Sequence, residues 1–235
     1  MASDPSEMKL ADMAAPARET GAPFPDRSRA GKAKGGRPTK DGLEALNRRI
    51  LDTAAALFAT QGFAATTMEE VASACGAGKD TIYRRYPSKS ALFMALMEGL
   101  QAGVLSELDT SIAVEATALN RLKLFARALL SINLRPQMIA LNRVALGEAV
   151  TFGGVRPTPG IEDPIMIRFT RLVEQAQAEG AMKPGPAFFL AEQLLYATSI
   201  RPLVSAMLGE ARFADSAEEE RYFTQAWKLF LDGAG

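Results

Sequence analysis

A short segment about a third of the way along the chain concentrates side chains that bind phosphate. Residues 75–89 read CGAGKDTIYRRYPSK, with four basic residues, two tyrosines and one large aliphatic side chain, Ile82. Lysine, arginine and tyrosine donate hydrogen bonds to phosphate oxygens, so this density of donors indicates contact with a polyanion. The alternative is an ordinary basic face in solvent.

The positive charge of the chain is concentrated in the part that contains this basic segment. The formal net charge of the 235 residues is zero, but residues 1–26, 27–90 and 91–235 carry −3, +6 and −3. A basic segment inside a neutral protein favours one surface that faces a polyanion such as nucleic acid.

Catalytic and metal sites have less support. The sequence contains no histidine and one cysteine, Cys75. It therefore lacks the commonest general base and metal ligand, and it cannot form a disulfide within one chain. We predict no catalytic residue, no metal and no cofactor, although carboxylate or lysine chemistry stays open. Cys75 is expected to pack on an apolar helix face, with a redox switch as the alternative.

The elements that must position the basic segment are two short helices. Thr67 and Glu70 have the spacing of a capping box, which predicts a helix start, and Gly76 allows a sharp turn at its end. A second short helix, about 78–85, follows with Ile82 as its inward anchor. Two short helices joined by a tight glycine turn indicate a helix-turn-helix at about 67–86. An amphipathic helix from Leu43 to about Gly62 precedes it.

The rest of the chain is also predicted to be helical, and no strand pattern competes, so the predicted fold class is all-α. Further helices are expected at about 88–105, 118–134, 137–150, 164–179, 187–208 and 217–231. Ser88 and Asp163 are predicted N-caps, Ser216 and Glu219 a capping box, and Pro202 a kink. Residues 1–42 form a predicted disordered arm with a basic end. No run of eighteen apolar residues and no export signal is present, so we expect a soluble, cytoplasmic protein without a membrane partner.

Residues 46–96 resemble the DNA-binding domain of the TetR family of transcriptional repressors. The run RRILDTAAALFATQGFAATTMEEVASACGAGKDTIYRRYPSKSALF follows the family pattern over about fifty positions. The resemblance implies a three-helix helix-turn-helix domain at 43–104, joined to a larger helical domain at 105–235. It also implies a homodimer that binds a double-stranded DNA operator and is regulated by a small-molecule effector.

The resemblance assigns phosphate contacts to three side chains. The hydroxyls of Thr67 and Tyr83 and the ammonium of Lys89 are implied to bind phosphate oxygens. Gly78 stands where the family usually has a capping serine, and it is an acceptable N-cap near the DNA. Arg37, on the arm before the first helix, either enters a narrow minor groove or lies in a solvated linker.

Base reading then falls to the second short helix, which enters the major groove in a helix-turn-helix. Lys79 and Thr81 are the leading candidates, and Ala77, Asp80 and Arg84 are further ones. Asp80 stands where the family usually has a small residue. We therefore expect Asp80 to alter the DNA sequence that the protein prefers.

The larger domain carries apolar side chains that fit either a ligand pocket or the core. The candidate effector-pocket residues are Phe125, Met138, Phe152, Met166, Phe169 and Tyr196. They favour a hydrophobic or aromatic effector. Arg121, Arg143 and Arg168 either pair with an anionic group of the ligand or lie in solvent. The last two helices predict an isologous four-helix dimer contact. Its candidate residues are Leu194, Leu195, Leu203, Phe223, Trp227 and Phe230.

The function that these predictions favour is a dimeric, ligand-responsive repressor of a palindromic operator, released by a small hydrophobic effector. Two alternatives stay open. One is a DNA-binding regulator that acts without an effector, and the other is an enzyme in the larger helical domain. The missing histidine weighs against the enzyme, and an enclosed apolar cavity would weigh against a regulator without an effector.

Overall fold

The computed structural model of the protein describes residues 40–113, 117–148 and 162–234, and these residues form helices and no strand. The α-helices are α1 (Lys40–Ala65), α2 (Met68–Cys75), α3 (Lys79–Arg85), α4 (Lys89–Ile112), α5 (Ala118–Asn133), α6 (Pro136–Gly147), α7 (Pro164–Ala178), α8 (Ala187–Leu195), α9 (Arg201–Met207) and α10 (Ser216–Ala234). A π-helical turn, Tyr196–Ile200, joins α8 to α9, and a 3₁₀ turn, Ala211–Ala214, precedes α10. The all-α prediction is confirmed.

The first three helices and the start of α4 enclose one apolar cluster, which we call the head core. It is built around three aromatic rings, Phe58, Phe63 and Phe93, whose centroids lie 5.4 to 5.7 Å apart. Ile82 of α3 is fully buried in the same cluster. Because it is the only buried residue of α3, one side chain anchors that helix to the head.

Helix α6 completes the head core, although it lies far along the chain. Leu141 is fully buried there, and Val144 and Ala145 pack against the same cluster from the next turn. Helix α6 also begins with proline at its first turn, a position where the missing N–H costs no helical hydrogen bond. The head, which we define as α1 to α3 with the start of α4, is therefore stabilised by α6, a helix that follows it in the sequence.

A second cluster, the main core, fills the space between the end of α4 and helices α5, α7, α8 and α10. Phe125 and Phe169 pack with ring centroids 5.3 Å apart, and Phe223 stacks with Trp227 at 6.2 Å. Among the described residues, α4 is the one helix whose length and composition would allow it to cross a membrane. Its apolar residues Leu92 and Leu108 are fully buried, one in each core.

The predicted kink at Pro202 takes the form of the π-helical turn. Proline has no backbone N–H for the carbonyl one turn earlier, so the regular ladder is interrupted there. Side chains add hydrogen bonds at this turn: the Tyr222 hydroxyl donates to the carbonyl of Ala197, the Thr198 hydroxyl to that of Leu194 at 2.7 Å, and the Asn133 amide to Ser199 Oγ at 2.8 Å. The turn is thus held by α5 as well as by its own helix.

Three of the four capping side-chain signals in the sequence correctly located a helix start, those of α2, α4 and α7. The Asp163 carboxylate accepts the N–H groups of Ile165 and Met166, and Ser88 Oγ accepts that of Ala91, as predicted. The capping box predicted at Ser216 is wrong. Helix α10 already includes Ser216, and the carboxylate of the preceding Asp215 accepts the N–H of Ala217 at 2.9 Å.

Candidate DNA-binding surface and effector cleft

The start of α2 is fixed by the predicted capping box. Thr67 N–H donates to Glu70 Oε2 at 2.8 Å, and Glu70 N–H donates to Thr67 Oγ1 at 3.1 Å. The Thr67 hydroxyl also donates to Glu70 Oε2 at 3.0 Å. A phosphate oxygen would therefore have to compete with Glu70 Oε2 for the proton of the Thr67 hydroxyl.

The turn between α2 and α3 has the conformation that glycine favours. Gly76 adopts φ 65° and ψ 29°, the left-handed region, and Ala77 N–H closes the turn on the carbonyl of Ala72 at 3.0 Å. Gly78 is the N-cap of α3 and contributes no side-chain bond. The turn leaves α3 anchored by Ile82 with its polar side chains outward.

Those outward side chains include the predicted base readers. Lys79, Asp80 and Arg84 are exposed, and Ala77 and Thr81 are half-buried. The structure brings all five onto one short segment, 77–84. Their contacts with bases stay predictions, and Arg37 lies outside the described residues.

An acidic residue of α2, Glu69, connects two of the predicted DNA-contacting side chains. Its Oε1 lies 3.5 Å from Lys79 Nζ and accepts a hydrogen bond from Tyr83 Oη at 3.2 Å. Its own backbone N–H, followed by Tyr83, lowers the pKa of Glu69. Desolvation, followed by the bond to Glu69, raises the pKa of Tyr83. The sequence analysis missed Glu69, since an acid in the first turn of a helix is already favoured by the helix dipole.

Backbone carbonyls at the end of α1 bind the ammonium of Lys89. Its ammonium donates to the carbonyls of Phe63, Ala64 and Thr66 at 2.6, 3.2 and 2.8 Å, and it lies 4.5 Å from the centre of the Phe63 ring. A lysine has three N–H donors, and all three are used here. Lys89 therefore caps the end of α1. Its contact with a phosphate stays a prediction, and the phosphate would have to compete with these carbonyls for the ammonium.

The predicted pocket residues separate into two groups. Phe125, Met166 and Phe169 are fully buried in the main core. Tyr196 is partly exposed on the π-helical turn, and Phe152 lies outside the described residues. Met138, one of the described candidates, lines an open cavity.

That cavity, the α4–α7 cleft, has a volume of about 340 Å³ and is bounded by α4, α5, α6 and α7. It is lined by Met94, Met97, Glu98, Leu100, Gln101, Val104, Leu129, Asn133, Met138, Asn142 and Ile165. Sequence reasoning missed most of these residues because their helices also show ordinary core-facing patterns. A second cavity of about 620 Å³ lies between α5, α6, α9 and α10. Its Arg143 donates to the carbonyls of Met207 and Ala206 at the end of α9.

Most predicted dimer residues are buried inside the chain itself. Leu194, Leu195, Leu203, Phe223 and Trp227 are buried and Phe230 is partly buried. The exposed apolar side chains of the same region are Phe189, Tyr196, Val204, Leu208 and Leu229. A partner would therefore meet this second set first.

Comparison with known proteins identifies the class of the chain. Residues 50–96 match the family described as bacterial regulatory proteins, tetR family, and residues 120–233 match the AefR-like transcriptional repressor, C-terminal domain. The chain belongs to the TetR family of transcriptional regulators.

Individual proteins are similar to this chain over different parts of its length. The nucleoid occlusion factor SlmA of Aliivibrio fischeri is 26% identical over 186 residues, which cover 78% of this chain and 93% of SlmA. The HTH-type transcriptional regulator YerO of Bacillus subtilis is 48% identical over 50 residues, 21% of this chain and 17% of YerO. A TetR-family regulator from Mesorhizobium loti has the same fold, with a TM-score of 0.70 and 22% identity over 82% of this chain and 98% of that one.

TetR-family membership makes the protein a DNA-binding transcriptional regulator. Such regulators are typically dimeric and non-enzymatic, and many respond to small molecules. No group of three acidic, cysteine or histidine side chains among the described residues is placed to hold a metal ion.

Proposed function

We propose that the protein is a homodimeric repressor that binds a palindromic operator and is released when a small apolar effector occupies the α4–α7 cleft. The observation that supports this proposal is the position of α6. One face of α6 carries Leu141 into the head core, and another lines the cleft with Met138 and Asn142. A ligand that moves α6 would change the position of the head, which couples the two sites.

The operator-binding surface is proposed to consist of α3 and the start of α2. Lys79 and Arg84 supply positive charge, and Thr67 and Tyr83 supply hydroxyls close to the same helix ends. Asp80 is the acidic exception and is proposed to read a base, because a carboxylate accepts a hydrogen bond from the cytosine amino group.

Dimerisation is proposed to use the exposed apolar face of α8, α9 and α10. Leu208 and Leu229 are about three-quarters exposed, at 77% and 76%, and Val204 is 41% exposed. An isologous contact between two copies would bury these side chains and place two heads on one face of the DNA. Such a regulator would act in the cytoplasm, where the operator is accessible.

The alternative function is a DNA-binding regulator that acts without an effector. It gives the α4–α7 cleft no role, so filling the cleft would leave operator affinity unchanged. The proposed repressor predicts the opposite, since a filled cleft resembles the effector-bound state.

The test uses an operator selected from random duplexes by the purified full-length protein. Met138→Trp fills the cleft, and Lys123→Trp, at an exposed position of α5, is the matched control. We expect Met138→Trp to weaken operator binding about fivefold or more, the scale of ordinary allosteric coupling. Equal affinities of the two folded variants would favour the regulator without an effector.

A further inference from the structure

The charges around the α4–α7 cleft are one-sided. Glu98 is exposed at its edge and, within the part of the chain that the structure describes, it is the one ionisable residue of the lining, which contains no lysine or arginine. The arginines that the sequence marks as anion partners are used elsewhere. Arg168 donates to Asp109 at 2.6 Å, and Arg121 pairs with Glu179 at 3.6 Å.

The NH₂ groups of the three amide side chains in the cleft are each engaged by an acceptor of the protein. Asn133 donates its NH₂ group to Ser199 Oγ at 2.8 Å, Asn142 to the carbonyl of Met138 at 2.8 Å, and Gln101 to the Asp163 carboxylate at 2.5 Å. A side-chain amide also carries a carbonyl oxygen that accepts hydrogen bonds, so these three residues add acceptor groups to the lining of the cleft.

The remaining lining is apolar and adaptable. Met94, Met97 and Met138 contribute three thioethers, which pack against irregular shapes and interact favourably with aromatic rings. The volume of about 340 Å³ is near the lower end for small-molecule sites, which span roughly 300–1,000 Å³. This space fits a compact body of one or two rings.

We propose that the α4–α7 cleft selects a compact apolar amine over a neutral or acidic ligand with the same skeleton. The ammonium N–H groups donate to Glu98 and to the amide oxygens, and the ring packs on the methionines. An anionic group meets Glu98 and no cation among the described lining residues, so it is disfavoured. This inference rests on the proposed function, because it names the chemical class of the effector.

The experiment measures the binding of three probes to the DNA-free, full-length protein. The probes are 1-naphthylmethylamine, 1-naphthalenemethanol and 1-naphthoate, which share one ring system and differ in charge. Methyl resonances of ¹³C-labelled methionine report the site: Met94, Met97 and Met138 should shift, and buried Met182 should not. We expect the amine to bind most tightly and the carboxylate least.

Charge reversal checks the cause of the selectivity. Glu98→Lys should weaken amine binding about threefold or more and strengthen carboxylate binding, the scale of partly exposed ion pairs. Glu174→Lys, the same change at an exposed position of α7 outside the cleft, should change neither.

The other outcomes overturn the inference in distinguishable ways. Carboxylate binding as tight as amine binding, or an amine preference that Glu98→Lys leaves intact, refutes the selectivity and leaves the proposed function standing. No shift of the cleft methyls with any probe refutes the selectivity as well. Equal operator affinities of Met138→Trp and Lys123→Trp would refute the effector role itself.

Discussion

Replacing Lys89 by methionine separates two roles for a residue at the start of α4. The sequence resemblance implies that Lys89 binds a phosphate, whereas its ammonium donates to three carbonyls at the end of α1. Methionine keeps most of the apolar stem and removes the charge and the donors. If the structural role dominates, Lys89→Met lowers the stability of the protein and leaves the salt dependence of DNA binding unchanged.

The magnitude follows from the bonds that are lost. Charge-assisted hydrogen bonds, the contact with the Phe63 ring and the interaction with the end of the α1 dipole together contribute about 2–4 kcal/mol after competition with water. The carbonyls of Phe63 and Thr66 belong to buried residues, so water replaces the ammonium only partly. For a chain of this size, we expect the melting temperature to fall by roughly 5–15 °C.

The assay combines thermal unfolding with operator binding at several salt concentrations, and Lys79→Met is the matched control. Lys79 is exposed, so its replacement should leave the melting temperature nearly unchanged. A side chain that binds one phosphate in each subunit of a dimer would, once removed, reduce the slope of log affinity against log salt by about 1.8, since each lost phosphate contact contributes about 0.9. The reasoning about Lys89 is refuted if Lys89→Met melts like the parent protein and shows that reduced slope.

Three further predictions test the head and the dimer. The folded protein raises the pKa of Tyr83 above 10.0, so folding favours the neutral phenol. The stability gained from the neutral phenol is present below pH 10 and is lost as the pH rises through the folded-state pKa. Glu69→Gln should lower that pKa part of the way towards 10, measured by ultraviolet titration against Tyr83→Phe; an unchanged pKa would exclude the bond to Glu69 as a cause. Leu229→Glu should shift sedimentation towards the monomer, whereas Leu146→Glu, also exposed but on α6, should not; equal behaviour would place the contact elsewhere. Asp80→Gly should change the sequence selected from random duplexes, and an identical selected sequence with identical affinity would remove Asp80 from the readers.

The sequence predicted best those features that depend on neighbours along the chain. The Thr67 and Glu70 box, the Ser88 cap and the Asp163 cap each join residues two or three positions apart, and all are present. The prediction at Ser216 failed by one residue, because Asp215 offers an equally good cap. A capping side chain therefore locates a helix start to within about one position, whereas apolar spacing predicted that the first helix starts at Leu43 and it starts at Lys40.

Contacts between distant residues could not be read in the same way. Glu69 meets Tyr83 across 14 positions, and Lys89 reaches Phe63 across 26. A lysine next to a basic helix suggests phosphate binding until the carbonyls beside it are known. Similarly, Phe223 and Trp227 lie on an apolar face of α10. The spacing of apolar residues predicts such a face, but it does not distinguish packing within the chain from packing on a second copy.

The contribution of α6 to the head core bears on how new regulators are assembled from parts. A recombinant exchange with its junction near residue 104 would transfer α1 to α3 and the start of α4 but leave Leu141 behind. The grafted head would then meet an α6 whose side chains were selected against another α1, and the mismatch would reduce solubility before it affected DNA recognition. A hybrid that carries α6 together with the head keeps both sides of this contact and is the better unit for exchange.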